Sequence, residues 1–261
     1  MGISYLVCAT PRSGSTLLCE ALKATGVAGR PEEYFEAVPA TGRPPRPEDY
    51  LDGLDDPAAH ALVAAARAPE PPPYSTLAGI DRYDEHLARV REWGTTPNGV
   101  FGAKLMWDHI ARLQSLVADR PPLTLLAELF DAPRLVWVRR DDVVRQAISL
   151  WRAMQTQSWR DDGWHGGPAQ YSFAALHHLV ARLREHDAAW ERLLADQEVL
   201  EITYEQLTGA LDAAVRRTLV HIGVDASGTE IGAPPMRRQA DELSEAWRDA
   251  YARDLELSTV T

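Results

Sequence analysis

Lysine and cysteine are almost missing from this 261-residue chain. Lysine occurs only at 23 and 104, so arginine supplies 25 of the 27 basic residues. Cys8 and Cys19 are the only cysteines, and without partners at metal-ligand spacing they make no zinc site. A disulfide is not forced, and a reduced, cytoplasmic protein is the simpler expectation. The eight histidines show no metal spacing either. No apolar run approaches about 18 residues, so no membrane span is expected. The N-terminal stretch lacks the basic region of a secretory leader, and Leu6 stands where a myristoylation signal wants Ser or Thr. Positive charge is also short. The net charge of −11 disfavours non-specific binding to nucleic acid or anionic membranes, although a local basic pocket for an anionic ligand is still permitted. What is present, 45% hydrophobic and 25% charged residues, is an ordinary globular mixture that excludes collagen, a coiled coil and wholesale disorder.

The chain reads as alternating strands and helices. Ile3–Ala9 is a short buried strand, and Leu17, Leu18, Ala21 and Leu22 recur at helical spacing up to Gly26. Further strands are expected at Val100–Trp107, Leu135–Val138 and Val199–Thr203. Val143, Val144, Ala147, Ile148, Trp151 and Met154 trace one helical face, with Asp141 or Asp142 placed to cap it. Long helices are expected over Phe173–Leu194 and over Leu211–Ile222, the latter closed by Gly223. Prolines crowd residues 39–73, read as an excursion over the sheet with short helices, one around Ala58–Arg67. Asp161–Gly167 is loop chemistry suited to a lid. The alternation implies one α/β domain over residues 1–261, a central parallel sheet with flanking helices.

The sharpest local signal is Thr10–Thr16, TPRSGST, between a strand and a helix. There Gly14 lets the backbone approach an anion, the N–H groups of residues 14 to 16 point at it, and Ser13, Ser15, Thr16 and Arg12 add donors. The plain alternative is a capped turn with a solvated Arg12. No GxxxxGK[ST] sequence is present, and the third strand ends in Arg139 where a metal-binding Asp would stand in a nucleoside triphosphatase. This points to a phosphate-like anion held by arginine and backbone without a metal. Arg140 lies just past that strand end, and Ser149 lies nine residues on. Both suit a second phosphate, or a surface Arg and a helix-filling Ser. In Arg30–Phe35, RPEEYF, Glu32 and Glu33 precede two aromatics. They are either a solvated pair beside packing rings or a desolvated base.

These motifs together resemble those of sulfotransferases that use 3′-phosphoadenosine-5′-phosphosulfate (PAPS). TPRSGST resembles the family's 5′-phosphosulfate loop, with Arg12 where many members have Lys. LVWVRR with Ser149 resembles the 3′-phosphate site, and Thr203-Tyr204-Glu205 resembles a segment near the nucleotide. The stretches RSGSTLL, RPEEYF, TPNGVFGAKLMW, VVRQAISLWRAMQTQSW and RRQADELSEAW are similar to the trehalose 2-sulfotransferase branch.

The resemblance implies a layout like that of nucleotide kinases and sulfuryl transfer from PAPS to a hydroxyl of a small carbohydrate or glycosylated acceptor. It implies Glu33 as base, Arg12 and Lys104 as cations at the transferred group, and Arg140, Ser149 and Arg238 at the 3′-phosphate. It places Pro11, Arg30, Glu33, Tyr34 and Phe35 at the acceptor, and implies a homodimer. Pro11 and Arg30 stand where the trehalose branch has Gln and Glu, so trehalose itself is in doubt. A phosphate-ester enzyme or divergent kinase on the same fold, and a non-catalytic PAPS-binding protein, are the alternative readings.

Overall fold

Four strands form one parallel sheet in the computed structural model, which describes residues 2–66, 70–77, 79–80, 82–117, 120–159, 168–229, 231–232 and 242–259. They are β1 (Ile3–Ala9), β2 (Val100–Met106), β3 (Arg134–Arg139) and β4 (Val199–Thr203), in the order β2-β1-β3-β4. In the register, Cys8 is flanked by Leu105 and Trp137, and Trp137 pairs with Glu201. After β2 the chain returns to the other side of β1 to form β3. That reversal opens a crevice at the carboxyl ends of β1 and β3, where open parallel sheets bind ligands.

The helices are α1 (Ser15–Ala24), α2 (Pro57–Ala64), α3 (Tyr83–Gly94), α4 (Trp107–Val117), α5 (Pro122–Phe130), α6 (Val143–Thr156), α7 (Phe173–Leu194), α8 (Tyr204–Gly209), α9 (Leu211–Ile222) and α10 (Glu242–Ser258). Among the described residues no helix is long and apolar enough to cross a membrane. The expected bounds of β1, β4, α7 and α9 coincide with those observed, because each is an apolar run or stripe bounded by turn residues. Gly223 closes α9 at φ 80°, a left-handed conformation that glycine adopts without steric cost.

The described chain forms two compact units interleaved in sequence. The first comprises Met1–Pro45, Pro71–Asp141 and His186–Pro234 and contains the sheet. Side chains of β1 alternate between its faces. Tyr5, Val7 and Ala9 pack with Leu18 and Leu22 of α1 and with Val215, Leu219 and Ile222 of α9. Leu6 and Cys8 face Leu126 and Phe130 of α5 and Trp190 and Leu194 of α7. The sheet is therefore buried on both sides, as a parallel sheet requires.

The second unit comprises Arg46–Glu70, Asp142–Glu185 and Pro235–Thr261. The predicted apolar face of α6 is buried here: Ala147, Ile148, Trp151 and Met154 pack with Leu176, Leu179 and Leu183 of α7, Val63 of α2 and Trp247 of α10. Asp142 caps α6 by accepting from the Arg145 N–H at 2.9 Å. In the Pro-rich stretch, Pro47 opens a short 3-10 turn. Asp56 caps α2 by accepting from the Ala58 and Ala59 N–H groups, and Pro57 takes a first-turn position where its missing N–H costs nothing. Proline here starts helices, and residues Arg46–Glu70 belong to the helical unit. The expected lid, Asp161–Gly167, lies outside the described residues.

Candidate active site

The loop after β1 is clamped at its start by α7. Trp190 Nε1 donates to the Ala9 carbonyl at 2.9 Å, and Thr10 Oγ1 donates to Asp187 Oδ1 at 3.0 Å. Arg12 (φ 63°) and Gly14 (φ 91°) are both left-handed. For Arg12 this costs roughly 1–2 kcal/mol, a strain that collects at functional sites. Position 14 needs glycine for a second reason: a Cβ there would lie 2.8 Å from Tyr204 Cδ2. Helix α1 begins immediately after, with no side-chain cap and no acidic residue in its first turn. Ser13 Oγ is buried and, among the described residues, has no hydrogen-bond partner. Backbone N–H groups at a helix start, beside an orphaned hydroxyl and Arg12, form a cradle whose donor chemistry fits the phosphosulfate end of a nucleotide.

The ends of β3 and β4 meet this cradle. Thr203 and Gln206 form a reciprocal capping box, which places Tyr204 at the start of α8. The Tyr204 ring packs on Gly14, and the Arg140 guanidinium carbon lies 4.2 Å from the centre of the same ring. The neighbouring Arg139 is turned to Glu201 and to Asp141, the latter at 2.8 Å. The structure thus brings Gly14, Tyr204 and Arg140 together. Ser149 stands half-buried on α6 of the second unit, and Arg238 lies outside the described residues.

On its other side the cradle adjoins the Arg30–Phe35 segment, which runs along the outer edge of β2. The Lys104 N–H donates to the Glu32 carbonyl at 2.9 Å, and the Arg30 N–H to the Gly94 carbonyl at 2.8 Å. Lys104 Nζ, in a residue only 1% exposed, bridges Glu33 Oε1 at 2.7 Å and Thr16 Oγ1 at 3.0 Å. Burial pushes this ammonium down. The Glu33 carboxylate, helped by Cys19 and Glu32, more than offsets that and holds it above its ordinary value. Glu33 itself remains partly exposed.

His109 also faces this group. It accepts from the Met106 N–H on Nδ1 at 3.2 Å, which puts the ring proton of its neutral form on Nε2. Burial lowers it to about 4 against the pull of Glu33, so it is uncharged near neutrality.

The other residues expected at the acceptor have the following contacts. The Arg30 guanidinium donates to the Thr95 carbonyl at 3.0 Å and closes the end of α3. Tyr34 and Phe35 are buried: the Tyr34 hydroxyl donates to the Arg30 carbonyl at 2.6 Å, and Phe35 packs against Phe130. Pro11 is buried in the loop. Sequence reasoning did not single out Lys23, His109 or Asp187, because none of them stands in a local motif. Among the described residues no group of three or more His, Cys, Asp or Glu side chains is arranged to hold a metal ion.

The profile of the Stf0 sulphotransferase family matches residues 4–254. A trehalose 2-sulfotransferase of Mycobacterium tuberculosis is 40% identical over 258 residues, covering 95% of this chain and 93% of that one. The trehalose 2-sulfotransferase of Mycolicibacterium smegmatis is 34% identical over 262 residues, with 96% and 95% covered. Among solved structures, a sulfotransferase from Alicyclobacillus acidocaldarius has a TM-score of 0.51 at 12% identity, covering 96% of this chain and 92% of that one. Sulfotransferase STF9 from Mycobacterium avium has a TM-score of 0.50 at 13% identity, with 98% and 77% covered. At such identities the solved structures establish the fold alone.

The clamp on the loop has a measurable pH signature. Burial raises the Asp187 carboxyl from 3.8 to about 6, against the opposing Thr10 hydrogen bond and Arg139. A carboxyl raised on folding favours the folded state while protonated, fully below about pH 4, and loses that contribution as pH climbs through 6. The loss is on the order of 3 kcal/mol. Asp187→Asn keeps an acceptor for Thr10 and removes the charge. Its urea midpoint, compared with wild type at pH 4.5 and pH 8, is expected to gain at the higher pH. An equal difference at both pH values contradicts this account.

Proposed function

The chain belongs to the Stf0 sulphotransferase family, and on that footing we propose that it moves a sulfuryl group from PAPS to a hydroxyl of a small carbohydrate or glycosylated acceptor. The observation that carries the reading is the Lys104 ammonium, which joins Thr16 of the anion cradle to the carboxylate of Glu33. A phosphate-type cradle and a basic group within one side chain's reach of it are what transfer to a hydroxyl needs.

PAPS supplies the sulfuryl group and leaves as PAP. In the proposed mechanism Glu33 takes the acceptor's hydroxyl proton as the oxygen bonds to sulfur and the bond from sulfur to the 5′-phosphate breaks. Arg12, the N–H groups of residues 14 to 16 and the hydroxyls of Ser13, Ser15 and Thr16 stabilise the charge that grows on the phosphate side. Donors so placed are worth about 3–4 kcal/mol each. Lys104 serves as the second cation. Arg140, stacked on Tyr204, holds the 3′-phosphate. For Ser149 and Arg238 that role rests on the resemblance alone, as does the homodimer, which light scattering on the purified protein decides. The two buried free thiols, Cys8 and Cys19, support a reduced, cytoplasmic setting.

For the acceptor, the named relatives act on trehalose, but Pro11 and Arg30 replace the Gln and Glu of that branch. Arg30 is a donor only, and its guanidinium is already given to the Trp93 and Thr95 carbonyls. A sugar hydroxyl loses an acceptor there, and a site left with poorly matched polar groups rejects a ligand by several kcal/mol.

Three outcomes are expected. PAP or PAPS raises the melting temperature, adding about 2.7 kcal/mol at 100 times the dissociation constant, while ATP with Mg²⁺ does little; the reverse pattern contradicts the donor assignment. A PAP-release assay with PAPS across sugars and glycosylated natural products finds the acceptor, and trehalose is a poor one. Efficient trehalose turnover at sub-millimolar KM, or no gain in it from the double change Pro11→Gln with Arg30→Glu, shows that these positions do not govern choice. With the acceptor so found, Glu33→Gln lowers kcat by about 10²–10⁴-fold at near-normal PAP affinity, and Glu32→Gln is far milder. Should Glu32→Gln be the inactive variant, the base is its neighbour.

A further inference from the structure

Both lysines of the chain meet the two adjacent carboxylates of the Arg30–Phe35 segment. Lys104 pairs with Glu33, and Lys23 pairs with Glu32 and, at 2.7 Å, with Glu20. One stripe of α1 faces this cluster. Thr16, Cys19 and Lys23 recur at i, i+3 and i+7, about 10 Å from first to last. Thr16 receives the Lys104 ammonium at the loop end of the stripe. Cys19 lies between, coupled electrostatically to Lys104, Glu32, Lys23 and Glu33. Lys23, in the last turn of α1, closes the far end.

Glu32 is a buried carboxylate, only 8% exposed, and a charge so placed requires a counter-charge. Lys104 is close enough that Glu32 helps to hold it charged. Two neighbouring carboxylates therefore compete for one ammonium. A second ammonium at Glu32 ends the competition, and a compact lysine head needs less room there than a planar guanidinium.

We propose that Lys23 is a positioning residue for the base: it draws the Glu32 carboxylate toward the end of α1 and so leaves the Lys104 ammonium to Glu33 and Thr16. The inference rests on the reading of Glu33 as base. Among the described residues, the groups that act on Glu33 include Lys104 from β2, Cys19 from α1 and His109 from α4, with Glu32 beside it in the chain. Lys23 acts on Glu33 through Glu32 and Lys104.

The test titrates protein carrying ¹³Cδ-labelled glutamate by NMR, without donor or acceptor, with Glu32 and Glu33 assigned from Glu32→Gln and Glu33→Gln. In Lys23→Met the Glu33 midpoint moves to higher pH by roughly one unit, because the Glu32 charge loses its compensation and draws Lys104 away. Lys23→Arg reverses most of the shift, and the double change Lys23→Met with Glu32→Gln reverses it by removing both charges. Glu32→Gln alone moves the Glu33 midpoint to lower pH, and Lys23→Gln takes the place of Lys23→Met should the latter fail to fold. An unmoved midpoint in either single variant, or a shift that persists in the double variant, overturns the proposal. The readout needs no turnover. A wild-type rate in Glu33→Gln would instead remove the base reading and leave this coupling standing.

Discussion

The buried ammonium of Lys104 is the constraint around which the sheet-containing unit is organised. A charge this far from water is stable only with an anion and further acceptors in contact. Glu33 and Thr16 meet that demand from two different parts of the chain. Satisfying it fixes α1 against β2 at the loop end, and it holds the Arg30–Phe35 segment along the sheet edge, where the Lys104 N–H also ties the Glu32 carbonyl. One side chain thereby sets the distance between the start of α1 and the Glu33 carboxylate.

The cradle depends on a second contact of a different kind. Tyr204 packs where a side chain at position 14 would be, and Arg140 stacks on the same ring. The chain order β1, β2, β3, β4 becomes β2-β1-β3-β4 in the sheet, so the ends of β1, β3 and β4 are neighbours. The glycine is required both by its backbone conformation and by the ring against it, and the ring gives the arginine a platform.

Much of this was legible in the chain. The strand Ile3–Ala9 carries an apolar run that a parallel sheet buries on both faces, and Val199–Thr203 is a shorter β-branched run with Ile202 buried, so their bounds can be read directly. The α6 face was readable because its apolar residues keep the helical period, and TPRSGST was readable because all its donors are consecutive. Helix α3 was not apparent: YDEHLARVREWG buries only His86, Val90 and Gly94, too few to mark a stripe. The contacts of Arg30 were not legible for a similar reason. Its side chain is long enough to reach the end of α3, and no sequence pattern reveals that the Trp93 and Thr95 carbonyls are waiting there.

The sequence by itself determined the α/β alternation, the TPRSGST loop between β1 and α1 and the pair of glutamates, since each is a local pattern of residue types at short spacing. Only the tertiary structure decided which glutamate meets the ammonium beside Thr16, and that both lysines serve this pair. It also decided that Asp187 clamps Thr10 across 177 positions of sequence. Such contacts are matters of distance and burial, and neither is set until α1, β2 and α7 have packed. The chemistry of each side chain is local, whereas its ionisation and its target are properties of the surroundings that the fold assembles.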